Sequence, residues 1–82
     1  EFDFSIVPNP NTGKFTLLFS RPGNNQTITI EVYDIAGKKI ISKQRGWVLS
    51  QILDLSYMSK GIYYVKISIN SISPKIKKLV IN

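Results

Sequence analysis

Apolar and polar residues alternate along most of this chain, and helical periodicity is nowhere sustained. Alternation places successive side chains on opposite faces of an extended strand, so the pattern predicts β structure throughout. Phe2 to Ile6 alternates and then meets Pro8-Asn9-Pro10-Asn11-Thr12-Gly13, a strong turn signal in which the prolines fix φ and Gly13 admits a positive φ. Lys14 to Ser20 is the second expected strand, with Phe15, Leu17 and Phe19 on one face. Leu18 on the other face suggests cover on both sides. After an Arg21–Asn25 loop, Gln26 to Tyr33 directs Ile28, Ile30 and Val32 one way and Thr27, Thr29, Glu31 and Tyr33 the other.

Asp34-Ile35-Ala36-Gly37 reads as a hairpin connection, with Gly37 in a left-handed conformation closing a bulged turn. Lys38 to Arg45 returns as a fourth strand whose exposed lysines suit a sheet edge. Gly46 and Trp47 interrupt the pattern, and a short fifth strand covers Leu49 to Leu55. Ser56 to Gly61 is a turn or one loose helical turn. Ile62 to Asn70 is the clearest strand, with Tyr63, Val65, Ile67 and Ile69 sharing one face. Ser71 to Pro74 reads as a hairpin loop and Lys75 to Asn82 as the closing strand. Its inward parity is ambiguous, because Ile76 and Val80 oppose Leu79 and Ile81. Seven short strands with turns every eight to twelve residues predict an all-β, antiparallel, seven-stranded Ig-like β-sandwich.

Composition sharpens this picture. A chain of 82 residues is one domain with a small core, yet 43% of it is apolar, which separates it from disordered sequences. It contains no cysteine and no histidine. Disulfides and thiolate metal sites are thereby excluded, and so are the commonest general base and zinc ligand. The carboxylates Glu1, Asp3, Glu31, Asp34 and Asp54 form no metal loop. The serines have no histidine to activate them, and no nucleophile elbow is present for a Ser–Lys pair. Asp34 and Asp54 read as turn residues. The isolated glycines make no phosphate-binding loop. Asn25-Gln26-Thr27 fits the glycosylation acceptor pattern, a motif of little information. No catalytic, cofactor-binding or metal-ligating residue is expected, and no cofactor.

The net charge of +6 comes largely from dispersed lysines and reads mainly as solubility. The lysines are not interleaved with an aromatic stacking face, so nucleic acid is not an expected partner. No apolar run reaches the length of a membrane span. Trp47 plugs one end of the sandwich in the structural reading. In the other, Trp47, Tyr57 and Tyr64 form an aromatic platform for a carbohydrate-binding or adhesive module. A passive Ig-like spacer is the third reading.

Four segments together resemble the type A C-terminal sorting domain of the type IX secretion system, the Por secretion tail. They are Val7-Pro8-Asn9-Pro10-Asn11-Thr12-Gly13-Lys14-Phe15, Val32-Tyr33-Asp34-Ile35-Ala36-Gly37-Lys38-Lys39-Ile40, Leu53-Asp54-Leu55-Ser56 with Lys60-Gly61-Ile62-Tyr63-Tyr64-Val65-Lys66-Ile67, and Lys77-Lys78-Leu79-Val80-Ile81. Each is weak alone; their order and spacing run over nearly the whole chain. The resemblance implies a single C-terminal sorting domain, residues 1–82, excised from a larger secreted protein of a Bacteroidota-type bacterium. It implies transit through the periplasm, passage through the outer-membrane translocon, and a destination at the cell surface or outside. The implied partners are translocon and sortase components, and an anionic lipopolysaccharide after processing. Pro8, Pro10, Gly13, Gly37 and Gly61 then have structural roles in turns. The residues left for recognition are Lys66, Lys75, Lys77 and Lys78, together with Leu79 and Val80 of the terminal ribbon. Its free edge is suited to strand addition or to pairing of two copies.

Overall fold

A computed structural model describes residues 2–20, 26–70 and 72–82. The expected Arg21–Asn25 loop, Asn25 of the acceptor pattern, Glu1 and Ser71 lie outside the described residues.

Seven antiparallel strands form two sheets. The first sheet has the order β1-β2-β5, from Phe4–Val7, Lys14–Phe19 and Ser50–Asp54. The second has the order β4-β3-β6-β7, from Lys39–Gly46, Thr27–Asp34, Gly61–Ile69 and Ile72–Ile81. This is the expected Ig-like sandwich, with sequential hairpins β3–β4 and β6–β7 and a crossing from one sheet to the other between β2 and β3.

The alternation identified in the sequence decides which side of each strand enters the core. Phe15, Leu17 and Phe19 of β2 face Ile28, Ile30 and Val32 of β3 and Tyr63, Val65, Ile67 and Ile69 of β6, all buried. Each large apolar side chain removed from water contributes roughly 1.5–3 kcal/mol, so this interior is the main source of stability in a chain without disulfides. Phe2 precedes β1 yet is also buried, adding a residue to the core from outside a strand.

Three features differ from the sequence expectation. Leu18 is 44% exposed, so β2 is covered on one face only. β7 begins at Ile72 and pairs with Ile69, so the segment expected as a loop up to Pro74 is strand. The parity of β7, ambiguous in the sequence, is settled by Leu79 and Ile81, which are buried while Ile76 is 60% exposed. Pro74 is tolerated inside β7 because β7 is the outermost strand of its sheet.

Candidate functional site

The terminal ribbon lies between two neighbours: β6, with which it pairs along most of its length with one register shift between Ile67 and Ile69, and the turn following β1, which caps its other edge. Even-numbered residues of β7 direct their backbone groups away from β6. The Val80 N–H donates to Asn9 Oδ1 at 3.0 Å, and the Asn11 N–H donates to the Val80 carbonyl at 3.0 Å. The Asn9 side-chain amide donates to the Lys78 carbonyl at 2.9 Å, and the Asn82 N–H donates to the Asn11 carbonyl at 2.8 Å. The Asn11 side chain in turn holds the turn together. It donates to the Pro8 carbonyl and accepts the Gly13 N–H, both at 2.8 Å. Asn11 is 6% exposed and is the one buried polar residue among those described.

Both X–Pro bonds of this turn, Val7–Pro8 and Asn9–Pro10, are cis. Gly13 closes it at φ +112°, and a Cβ there would fall 2.6 Å from Ser56 Cα. A side chain at Gly13 would therefore collide with the Leu55–Ser56 backbone. Nothing in the local pattern marks Asn9 and Asn11 as residues that grip the far end of the chain. A polar residue buried at a turn becomes legible as a clamp only once its partner strand is in place. The C-terminal half of the ribbon edge is thus covered, a correction to the expectation of a free edge.

The expected recognition residues divide between two faces. Lys66 and Lys78 lie on the outer face of the four-stranded sheet, with Val80 half-buried beside Ile62. Lys75 and Lys77 share the inward parity of Leu79 at the margin of the sandwich, and are half-buried rather than outward. The Lys77 ammonium sits 5.6 Å from the Phe4 ring centroid and 3.3 Å from Asp3 Oδ1, joining the two sheets. The Phe4 N–H and then Lys77 hold the Asp3 carboxyl below its ordinary range. Leu79 is fully buried and belongs to the core.

On the outer face, Glu31 accepts from Lys39 at 2.9 Å and from the Tyr33 hydroxyl at 3.2 Å, with Lys66 at 4.0 Å. These contacts, Lys39 foremost, lower the Glu31 pKa and raise that of Lys39. Asp34 and Asp54 are tied to their own turns. Asp34 Oδ1 accepts the Ala36 and Lys38 N–H groups at 2.9 and 2.8 Å. Gly37, at φ +89°, donates to the Asp34 carbonyl. Asp54 accepts the Ser56 hydroxyl at 2.6 Å and its N–H at 3.0 Å, which lower its pKa. At the turn before β6, Gly61 has φ +152° and Tyr63 donates its hydroxyl to the Ser59 carbonyl at 2.6 Å.

A shallow hollow of about 530 Å³ opens between the β3–β4 turn and β7, bounded by Ile35 and Ile76 and floored by Tyr33 and Tyr64, with Lys66 in its wall. Trp47 lies elsewhere. It packs 5.5 Å from the Phe19 ring at the Gln26 end of β3, whereas Tyr64 pairs with Tyr33 near the opposite end. Trp47 and Tyr64 therefore share no platform. Among the described residues, no three metal-ligating side chains cluster and no helix is long and apolar enough to cross a membrane.

The family model of the secretion system C-terminal sorting domain matches residues 5–82, nearly the whole chain. No curated protein matched the sequence.

Proposed function

The chain belongs to the secretion system C-terminal sorting domain family, a type IX sorting signal that directs export through the outer membrane, and we propose that it forms the C-terminal domain of a larger secreted protein and is read as a folded unit. Sorting-signal domains are not a catalytic family, and the role implied is interaction with the secretion machinery. In this reading the attached cargo waits in the periplasm, and the translocon engages the domain and passes the cargo outward. A sortase component then removes the domain and joins the cargo to an anionic lipopolysaccharide, or the cargo is released.

The observation that carries the proposal is the family match over residues 5–82. Its physical counterpart is a domain whose described acids are committed to turns and ion pairs, with lysines on the surface around them. Lys66 and Lys78 present charge on the sheet face, while Lys75 and Lys77 present it at the margin. Val80 lies half-buried between them and the Asn9 clamp. A dimer through edge strands is disfavoured at β4, where a second copy would bring further positive side chains close to Lys39, Lys43 and Arg45.

The test is a fusion of residues 1–82 to a fluorescent protein that enters the periplasm, in a strain that has this secretion system and in one lacking its translocon. The reporter is expected outside the cell only in the first. Retention in the periplasm of both strains, with the domain folded, overturns the proposal. Replacing Lys77 and Lys78 with Ala should lower export; undiminished export by a folded variant removes that pair from recognition.

A further inference from the structure

The outer face of the four-stranded sheet carries apolar side chains that the fold leaves uncovered. Ile35 is 73% exposed at the β3–β4 turn, Ile76 is 60% exposed on β7, and Ile62 is 38% exposed on β6. Ile35 and Ile76 flank the hollow of about 530 Å³ floored by Tyr33 and Tyr64, and Ile35 also borders a second hollow of about 250 Å³ beside Met58 and Ile62. The larger hollow has room for one or two bulky apolar side chains.

The charge around it is net positive, although Asp34 lines the hollow itself. Glu31 is engaged by Lys39, Lys66 and Tyr33, and the Asp34 carboxylate by two backbone N–H groups. Lys38 and Lys78, both exposed, pair with no carboxylate among the described residues. The surface is therefore apolar in the middle and positive at its rim.

The adjacent edge is a poor alternative. Asn9 and Asn11 cap Lys78, Val80 and Asn82, and Pro74 supplies no N–H at the other end. Ile76 is left as the one residue of β7 between these guards with both backbone groups directed outward, too short a stretch for strand addition.

We propose that this sheet face, rather than the ribbon edge, is where the secretion machinery docks, and that its occupant is a polypeptide segment bearing a bulky apolar side chain flanked by acidic residues. The apolar side chain fills the hollow between Ile35 and Ile76, and the acids meet Lys38, Lys66 and Lys78. A sugar-phosphate polymer would satisfy the lysines but has no apolar side chain for the hollow, so the combination favours polypeptide. This inference rests on the sorting-signal reading and names the surface and partner chemistry within it.

The test uses the reporter fusion of residues 1–82 carrying Ile35→Asp, Ile76→Asp or Lys78→Glu. Leu18→Asp and Ile52→Asp, on the exposed face of the other sheet, serve as controls. All five positions are exposed or lie at the rim, and circular dichroism melts establish that each variant is folded. Export is expected to fall about tenfold or more for the first three, because a carboxylate is forced into the apolar contact or the rim charge is reversed. It is expected to stay within about twofold for the controls, as for surface substitutions generally. In exporting cells, a photo-crosslinking benzoylphenylalanine in place of Ile76 should yield a protease-sensitive adduct containing a secretion-machinery subunit. In place of Ile52 it should not.

Folded Ile35→Asp and Ile76→Asp variants exported like wild type would overturn the docking face, as would equal losses in the controls. An Ile76 adduct containing lipopolysaccharide alone would overturn the polypeptide occupant. Failure of the unsubstituted fusion to leave the periplasm would instead strike the sorting-signal reading itself, and this proposal with it.

Discussion

Replacing Asn11 with Ala should destabilise the domain far more than the same change at Asn9, although each side chain makes two hydrogen bonds. The Asn11 side chain is buried, donating to the Pro8 carbonyl and accepting the Gly13 N–H. Deleting it removes two bonds worth about 1 kcal/mol each and leaves the Gly13 donor without a partner where water cannot readily replace it, a further cost of about 1–3 kcal/mol. A total of about 3–5 kcal/mol follows, which for a domain of this size lowers Tm by about 12–40 °C. The whole stability of such a chain is about 4–12 kcal/mol, so the variant is close to unfolding at the low end. The Asn9 bonds to Val80 and Lys78 are exposed. Water takes them over in Asn9→Ala, and the cost is about 1 kcal/mol or less. Thermal and urea unfolding by circular dichroism give the two energies, and amide exchange gives the location. Asn9→Ala should speed exchange of the Val80 amide while leaving Asn82, held by the Asn11 carbonyl, nearly unchanged. Equal costs at the two positions, or less than about 1 kcal/mol for Asn11→Ala, would refute the clamp.

Gly13→Ala should cost about 3 kcal/mol or more, combining a positive φ with a Cβ driven against the Ser56 backbone, and can be read by urea denaturation. Trp47→Phe should change stability by less than about 1 kcal/mol, because the indole N–H is buried with no hydrogen-bond partner among the described residues and its removal offsets part of the lost packing; Trp47→Ala should cost clearly more, and equal melting curves for the two would count against the Phe19 contact. The Glu31 cluster predicts an acid limb. The folded-state pKa of Glu31 lies below its ordinary value of 4.5, so its contribution is present above that value and is lost as pH falls through the folded-state pKa. Glu31→Gln should therefore cost up to about 1 kcal/mol at neutral pH and nothing in strong acid, with a gap independent of pH as the contrary result.

The strand count, the sandwich and the buried face of β2, β3 and β6 were legible because alternation of large apolar residues is a local signal that burial then enforces. Gly37 and Asp34 were legible for the same reason: a hairpin turn is specified by four adjacent residues. The inward side of β7 was not, since Ile76 and Val80 compete with Leu79 and Ile81 on equal hydrophobic terms. Pairing with β6 and the capping turn decide it. The start of β7 was missed because Pro74 reads as a loop residue, and only its position on an outer edge makes it compatible with a strand. Lys77 looked like part of an outward basic ribbon. Its parity and the nearby Phe4 and Asp3 make it a tie between sheets, a contact 74 residues apart in sequence that no local pattern encodes. The same holds for Asn9 and Asn11, and for the hollow between Ile35 and Ile76, which exists only where one turn and a distant strand meet.

The central claim is that the folded chain by itself carries the information that the secretion machinery reads. Competition in trans tests it most directly: residues 1–82, without cargo, are produced in the periplasm of cells exporting another substrate of the same system, and export of that substrate is followed over time. Export should slow in proportion to the amount of free domain present. Unchanged export while the folded free domain accumulates in excess would contradict the account.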